Sequence, residues 1–140
     1  MSVVEITGPE ETEAHGARLA ERLTSGDVVV VTGELGAGKT TFVRGACRAL
    51  GVTEPVTSPT FTIGHLYRGR MEVAHLDLYR LGSLEDEDPA LLADYLTPER
   101  VAFLEWPEVA ASALGRVAAR VHLSHAGADR RHLEIEMTRP

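Results

Sequence analysis

The spacing of apolar residues predicts two strands and two helices in the N-terminal part of the chain. A weak alternation over Met1–Ile6 predicts an edge strand. The continuous β-branched run Val28–Val31 is too short for a helix, so it predicts a strand that is buried on both faces. Glu10–Leu23 and Thr40–Leu50 carry apolar residues at helical spacing, and each is followed by a glycine that favours a helix end.

The rest of the chain continues to alternate between strand and helix patterns. Strands are predicted at Thr57–Leu66 and Arg70–Leu76, joined by Tyr67–Arg70, and a second buried strand at Val101–Leu104. Helical patterns cover Leu84–Tyr95 and one turn at Ala110–Ala113. A closing antiparallel hairpin is predicted around Gly127, from the alternation in Arg116–Leu123 and Arg131–Thr138.

Composition narrows the class of protein. The chain has 140 residues, 44% of them hydrophobic and 25% charged, which predicts one soluble domain spanning residues 1–140. A net charge of −7 disfavours unaided binding to a nucleic-acid backbone. The single cysteine, Cys47, fits a reducing cytosol and is expected to be a small core residue. Neither a signal core nor a membrane span is indicated, so we expect a cytoplasmic protein with no membrane contact.

The turn after the first buried strand carries the chemistry. Residues 33–40 read GELGAGKT, which matches the phosphate-binding pattern G-x-x-x-x-G-K-[ST] between a strand and a helix. Glycines let the main chain approach phosphate oxygens closely, and the following helix points its positive end at them. We expect Lys39 to neutralise the β- and γ-phosphates and Thr40 to bind Mg²⁺. Lys39 is also the only lysine in the chain.

Two acidic residues follow predicted strands and are candidates for the hydrolytic chemistry. Glu105 ends the buried run that starts at Val101, and Asp77 ends the strand before it. Ligands of open α/β sheets gather at the carboxyl ends of the strands. One acid is expected to help hold Mg²⁺ and the other to position the attacking water, and the spacing leaves open which does which.

Two further stretches have alternative interpretations. Pro59 stiffens the segment that presents the hydroxyls of Ser58 and Thr60, which fits either a switch loop that senses the γ-phosphate or a strand-entry turn. Trp106 directly follows Glu105 and fits either a packing residue or a wall of the site. His122 and His125 lie three apart without a further ligand at metal-site spacing, so we expect no zinc site there.

Taken together, four motifs resemble the TsaE (YjeE) family of small bacterial P-loop ATPases. They are GELGAGKTT at 33–41, SPTF at 58–61, HLDLYRL at 75–81 and LEWPE at 104–108, in that order along nearly the whole chain. The resemblance implies a single-domain P-loop NTPase fold of class α/β. Its central mixed, mostly parallel sheet is flanked by helices and closed by the C-terminal hairpin.

The same resemblance implies roles for individual residues. Lys39 and Asp77 serve catalysis, Thr40 and Glu105 hold Mg²⁺, and Ser58, Thr60 and Trp106 belong to regions that respond to nucleotide or partners. The resemblance also implies that the loop binds ATP and that Thr12 lies near the adenine. The expected contacts are Glu34, Leu35, Gly36, Ala37, Gly38, Lys39, Thr40, Thr41 and Thr12.

The family works in the biosynthesis of tRNA threonylcarbamoyladenosine (t6A). The resemblance implies an ATPase that is activated by two partner proteins, of the TsaB and TsaD type, which carry threonylcarbamoyl transfer onto adenosine 37 of tRNA. It implies contact with tRNA only through that complex, which agrees with the acidic charge of the chain.

Three rival functions can be weighed on the residues alone. A GTPase would need an Asn-Lys-x-Asp element to read guanine, which a chain whose only lysine is Lys39 cannot form. A P-loop kinase for a small molecule would need an acceptor pocket and a basic lid, for which Arg68, Arg70 and Arg80 form no compact segment. A nucleotide-gated adaptor that does not hydrolyse ATP is the third, and the two acids argue against it only weakly.

Overall fold

The computed structural model of the chain describes residues 2–34, 36–57, 64–77, 95–105 and 117–138. These form seven strands and two helices, listed here in chain order: β1 Ser2–Thr7, α1 Gly8–Ala20, β2 Val28–Gly33, α2 Lys39–Ala49, β3 Gly64–Arg68, β4 Glu72–Asp77, β5 Arg100–Glu105, β6 Ala119–His125 and β7 Arg130–Met137. The predicted helices at 84–95 and 110–113 lie outside the described residues, apart from Tyr95, which lies in a turn.

All seven strands form one mixed sheet in the order β1-β7-β6-β2-β5-β4-β3. The four central strands, β6, β2, β5 and β4, are parallel to one another. The pairs at both ends of the sheet, β1–β7, β7–β6 and β4–β3, are antiparallel. This confirms the α/β class with a parallel centre, the N-terminal edge strand and the C-terminal hairpin.

The two faces of the sheet carry separate hydrophobic clusters, as the alternation of side chains along a strand requires. Helices α1 and α2 pack on one face, where Phe42, Val43 and Ala46 of α2 meet odd-numbered strand residues such as Val31 and Phe103. The other cluster contains the even-numbered Val30, Ala74, Leu76, Ala102 and Leu104, together with Val117. Strand β2 is buried on both faces, as its β-branched run predicts.

The two helices approach closely because glycines face each other's backbone. A Cβ atom on Gly16 of α1 would lie 2.2 Å from the carbonyl oxygen of Phe42 in α2. A Cβ atom on Gly45 would lie 2.1 Å from the carbonyl oxygen of Glu13. Any side chain at either position must push the helices apart, so this contact fixes α1 beside the start of α2.

Some predicted boundaries are wrong. The strand predicted at Thr57–Leu66 is described from Gly64 onward and extends to Arg68, so Tyr67 and Arg68 belong to a strand and not to a connection; residues 58–63 lie outside the described part of the chain. Tyr67 and Arg68 pair with residues of β4, and the turn between the two strands begins at Gly69. A Cβ atom on Gly69 would lie 2.3 Å from the carbonyl oxygen of Leu50. Helix α1 begins and ends earlier than predicted, because Gly8 already follows β1 directly and the chain turns after Ala20.

Candidate nucleotide and metal site

Strand β2 delivers the chain to the glycine-rich loop at the carboxyl ends of the parallel strands. Its last residue, Gly33, has φ 149°. A Cβ there would lie 2.2 Å from the carbonyl oxygen of Leu123 in β6, so only glycine allows β2 and β6 to pair up to the edge of the loop. The loop therefore starts from a fixed point in the middle of the sheet.

The loop then reverses into helix α2 through two residues in the left-handed region. Gly36 has φ 75° and Gly38 has φ 104°. Gly38 is the N-cap of α2, and no side chain caps the first turn with a hydrogen bond in the part of the chain that the structure describes. The main-chain N–H groups at this helix start are the usual binding element for phosphate oxygens.

Lys39 lies over this loop with its ammonium group held by the loop itself. Its Nζ donates to the carbonyl oxygens of Gly33 at 3.0 Å and Glu34 at 2.9 Å. The residue is 8% exposed. Burial lowers the pKa of Lys39, and the carboxylates of Glu105, Asp77 and Glu34 raise it in opposition. A cation is thus kept in a largely dry position among acids and carbonyls, where a polyphosphate offers stronger acceptors.

The two predicted metal-binding residues lie together, Thr40 at the start of α2 and Glu105 at the end of β5. Thr40 Oγ1 is 3.1 Å from Glu105 Oε2 and 3.4 Å from Oε1. Glu105 is 4% exposed, although it is an acid at a strand end. Asp77 ends β4 and is the register partner of Glu105 across the parallel pair, so the two acids end neighbouring strands side by side.

His75 is a site residue to which sequence reasoning assigned no role. It is 0% exposed, and its Nε2 lies 2.5 Å from Glu105 Oε2. His75 and Asp77 are two positions apart on β4, and side chains two apart share a face of the sheet. The sequence signal that could have identified His75 is its spacing of two from Asp77 within one strand. This spacing is informative only once β4 is known to neighbour β5.

A cavity of about 160 Å³ lies beside the glycine loop. Thr12 of α1, predicted near the adenine, is one of its walls and is 3% exposed. The turn between β6 and β7 contributes Asp129, and the start of β7 contributes Arg131; the sequence analysis assigned neither residue a role. The remaining walls are the start of α1 and the loop with its helix, namely Gly8, Pro9, Gly36, Ala37, Gly38 and Thr41.

The donor set fits Mg²⁺ bound together with a polyphosphate. A hydroxyl and a carboxylate are the hard oxygen ligands that Mg²⁺ takes, and the ion keeps waters and phosphate oxygens for its other positions. Among the described residues there is no group of three or more histidine, cysteine or acidic side chains arranged to hold a metal alone. Thr40 and Glu105 are the described residues that could hold such an ion.

Several predicted residues lie outside the described residues. They are Leu35 of the glycine loop, Ser58 and Thr60 of the SPTF segment, and Trp106 after β5. Their roles stay predictions. Of the histidines considered for zinc, His122 Nδ1 is 2.8 Å from Thr32 Oγ1, and His125 lies exposed at the end of β6.

Comparison with known proteins finds consistent similarity. The family model described as "Threonylcarbamoyl adenosine biosynthesis protein TsaE" matches residues 6–133. The tRNA threonylcarbamoyladenosine biosynthesis protein TsaE of Treponema pallidum is 40% identical over 114 residues, covering 81% of this chain and 84% of that protein. The protein of the same name from Synechocystis is 44% identical over 108 residues, covering 69% of this chain and 64% of that protein, which is less than two thirds of its length.

A solved structure shows the same fold. The crystal structure of Bacillus subtilis YdiB superimposes with a TM-score of 0.72 and 31% sequence identity. The match covers 94% of this chain and 82% of that chain. Within the described residues, no helix is both long and apolar enough to cross a membrane.

Proposed function

The chain belongs to the TsaE family, and from this premise we propose that it is a Mg²⁺-dependent ATPase that supports t6A formation at adenosine 37 of tRNA. One observation carries the proposal. The Thr40 hydroxyl lies 3.1 Å from the buried Glu105 carboxylate, directly beside a glycine loop over which the Lys39 ammonium is held. Phosphate-binding loop, cation and metal-ligating oxygens are thereby gathered at one end of the sheet.

Each residue has a distinct task in this proposal. Lys39 leaves the carbonyl oxygens of Gly33 and Glu34 for the β- and γ-phosphate oxygens of ATP, which accept more strongly. Thr40 and Glu105 hold Mg²⁺, which neutralises negative charge on the phosphates when bound. Asp77, at the end of the neighbouring strand, orients the water that attacks the γ-phosphorus. Lys39 and Asp77 are therefore the catalytic residues.

The cavity beside the loop is proposed to take the nucleoside. It lies between α1, the glycine loop and the β6–β7 hairpin, so we expect Thr12 and Arg131 to lie near the nucleoside. The ribose and adenine of ATP would then lie outside the sheet, and the triphosphate would run over the loop toward Thr40. This arrangement keeps the base away from the acids that serve hydrolysis.

We place this P-loop ATPase domain, residues 1–140, in a cytoplasmic complex with two partner proteins of the TsaB and TsaD type. The names of its relatives connect them with t6A biosynthesis. A net charge of −7 gives the chain little attraction for a phosphate backbone, so the tRNA would be held by the partners. Hydrolysis on this chain would drive or reset the complex that performs the transfer.

Phosphate release from ATP tests this function against its rivals. The assay compares the chain alone, the chain with both partners and tRNA, and the chain with a panel of small hydroxyl acceptors. A partner-activated ATPase accelerates when the partners are added. A kinase releases no phosphate but phosphorylates an acceptor, and a nucleotide-gated adaptor gives neither product. Either of the last two results would overturn the proposed hydrolysis.

A further inference from the structure

His75 is fully buried, although one of its two ring nitrogens has no hydrogen-bond partner among the described residues. The residue is 0% exposed in the middle of β4. Within the described chain its Nδ1 is buried without a hydrogen-bond partner. Its one polar contact there is the 2.5 Å contact between Nε2 and Glu105 Oε2. Burying a polar ring nitrogen without a partner is unfavourable, so a histidine at this position needs a compensating reason.

The Glu105 contact gives the imidazole a defined orientation. A carboxylate only accepts hydrogen bonds, so Nε2 is the nitrogen that carries hydrogen in this pair. Phe103 is the register partner of His75 in β5, so the imidazole contacts a residue two register positions further on, at the end of that strand. Among the described residues, Glu105 is the hydrogen-bond partner of the ring.

The contact also makes the two carboxylate oxygens of Glu105 inequivalent. Oε2 of Glu105 accepts from His75 Nε2 at 2.5 Å and lies 3.1 Å from Thr40 Oγ1. Among the described residues, Oε1 has the longer 3.4 Å contact with Thr40 Oγ1. Holding one oxygen fixes the rotation of the carboxylate and therefore the direction in which the other oxygen points.

We propose that His75 is a positioning residue that holds the Glu105 carboxylate in its metal-binding orientation. The proposal rests on the proposed role of Glu105 in binding Mg²⁺. Hydrogen bonds from outer-shell residues orient metal ligands, and their loss commonly weakens metal binding by roughly 10- to 100-fold. His75 thus acts through Glu105 and touches neither the nucleotide nor the water.

Two near-isosteric variants separate positioning from mere packing. In His75→Gln the side-chain amide nitrogen reaches the place of Nε2, so a donor to Glu105 is retained. In His75→Asn the amide nitrogen falls at the place of Nδ1, so the donor is lost although the residue stays polar. His75→Leu removes both nitrogens and retains an apolar side chain.

The readout is metal affinity and not turnover. Free Mn²⁺ is measured by electron paramagnetic resonance while it is titrated into protein with saturating ADP, and ADP affinity is measured separately in EDTA by calorimetry. We expect His75→Asn and His75→Leu to weaken Mn²⁺ binding about 10- to 100-fold, and His75→Gln to stay within about threefold of the natural protein. ADP affinity in EDTA should be the same for all folded variants.

The outcomes distinguish this inference from the proposed function. If the natural protein binds Mn²⁺ no better than ADP alone does, the metal site itself is wrong. If the natural protein binds Mn²⁺ and the Asn and Gln variants bind it equally well, the positioning role is wrong. Should His75→Leu fail to fold, the comparison of Asn with Gln still decides, because both keep a polar side chain of similar size.

Discussion

Replacing Lys39 with methionine removes the ammonium and keeps most of the apolar stem. In the structure Nζ donates to the carbonyl oxygens of Gly33 at 3.0 Å and Glu34 at 2.9 Å, and the residue is 8% exposed. Its charge is therefore little screened by water. Burial lowers the pKa of Lys39, and the nearby carboxylates of Glu105, Asp77 and Glu34 partly offset this by stabilising the ammonium charge.

The expected loss of ATP affinity follows from exchanging these acceptors. A hydrogen bond with an ionised partner contributes about 1.5–3 kcal/mol, and the carbonyl bonds of Lys39 already belong to this class. The phosphate oxygens add a negative charge, whose attraction for an ammonium about 4 Å away is roughly 4 kcal/mol at an effective dielectric constant of about 20 and roughly 2 kcal/mol at about 40. A loss of about 2–4 kcal/mol corresponds to roughly 30- to 700-fold in the dissociation constant.

Calorimetric titration with ATP and Mg²⁺ measures this loss directly. Arg48→Met is the matched control, because it removes one positive charge from the same helix at an exposed position, 2.9 Å from Glu13. We expect this control to bind ATP within about threefold of the natural protein, since exposed ion pairs contribute little. If Lys39→Met also stays within threefold, or if both variants weaken equally, the ammonium does not bind the phosphates.

The remaining predictions concern hydrolysis, packing and thiol chemistry. Glu105→Ala and Asp77→Ala should each slow partner-stimulated phosphate release at least about 100-fold while ATP affinity changes less than the rate does; normal rates in both variants would show that the acids are misassigned. Gly16→Ala places a methyl 2.2 Å from the carbonyl oxygen of Phe42, so urea unfolding should report a loss of about 1–3 kcal/mol, and an unchanged midpoint would contradict the helix contact. Burial raises the pKa of the Cys47 thiol to about 12, so at pH 8 a disulfide reagent should label it only in denaturant, and stoichiometric labelling of the native protein would refute its burial.

The centre of the fold could be predicted because its signals are local. A run of four β-branched apolar residues favours a strand over a helix, so Val28–Val31 predicts a buried strand. In the structure β2 is buried on both faces. The glycines and Lys39 identify the loop by type and spacing, and the structure gives Gly36 and Gly38 positive φ values. Local geometry alone decides these features, so no knowledge of distant residues is needed.

Other features depend on pairing between distant segments, and the sequence does not state that pairing. The prediction ends the strand at Leu66, whereas β3 extends to Arg68, because Tyr67 and Arg68 pair with Val73 and Glu72 of β4. The link between His75 and Glu105 arises from the neighbouring positions of β4 and β5. Arg131 lines the cavity because the turn of the C-terminal hairpin lies next to the start of α1. There Gly8 N donates to Asp129 O at 3.0 Å.

A crystal structure of the protein grown with ADP, Mg²⁺ and beryllium fluoride tests the central claim most directly. We expect the β-phosphate on the main-chain N–H groups of residues 36–41 and the Lys39 ammonium turned from its loop carbonyls to phosphate oxygens. Mg²⁺ should lie about 2.1 Å from Thr40 Oγ1, with the Glu105 carboxylate in its coordination sphere. Nucleotide bound away from this loop, or a metal ion that contacts neither Thr40 nor Glu105, would contradict the account.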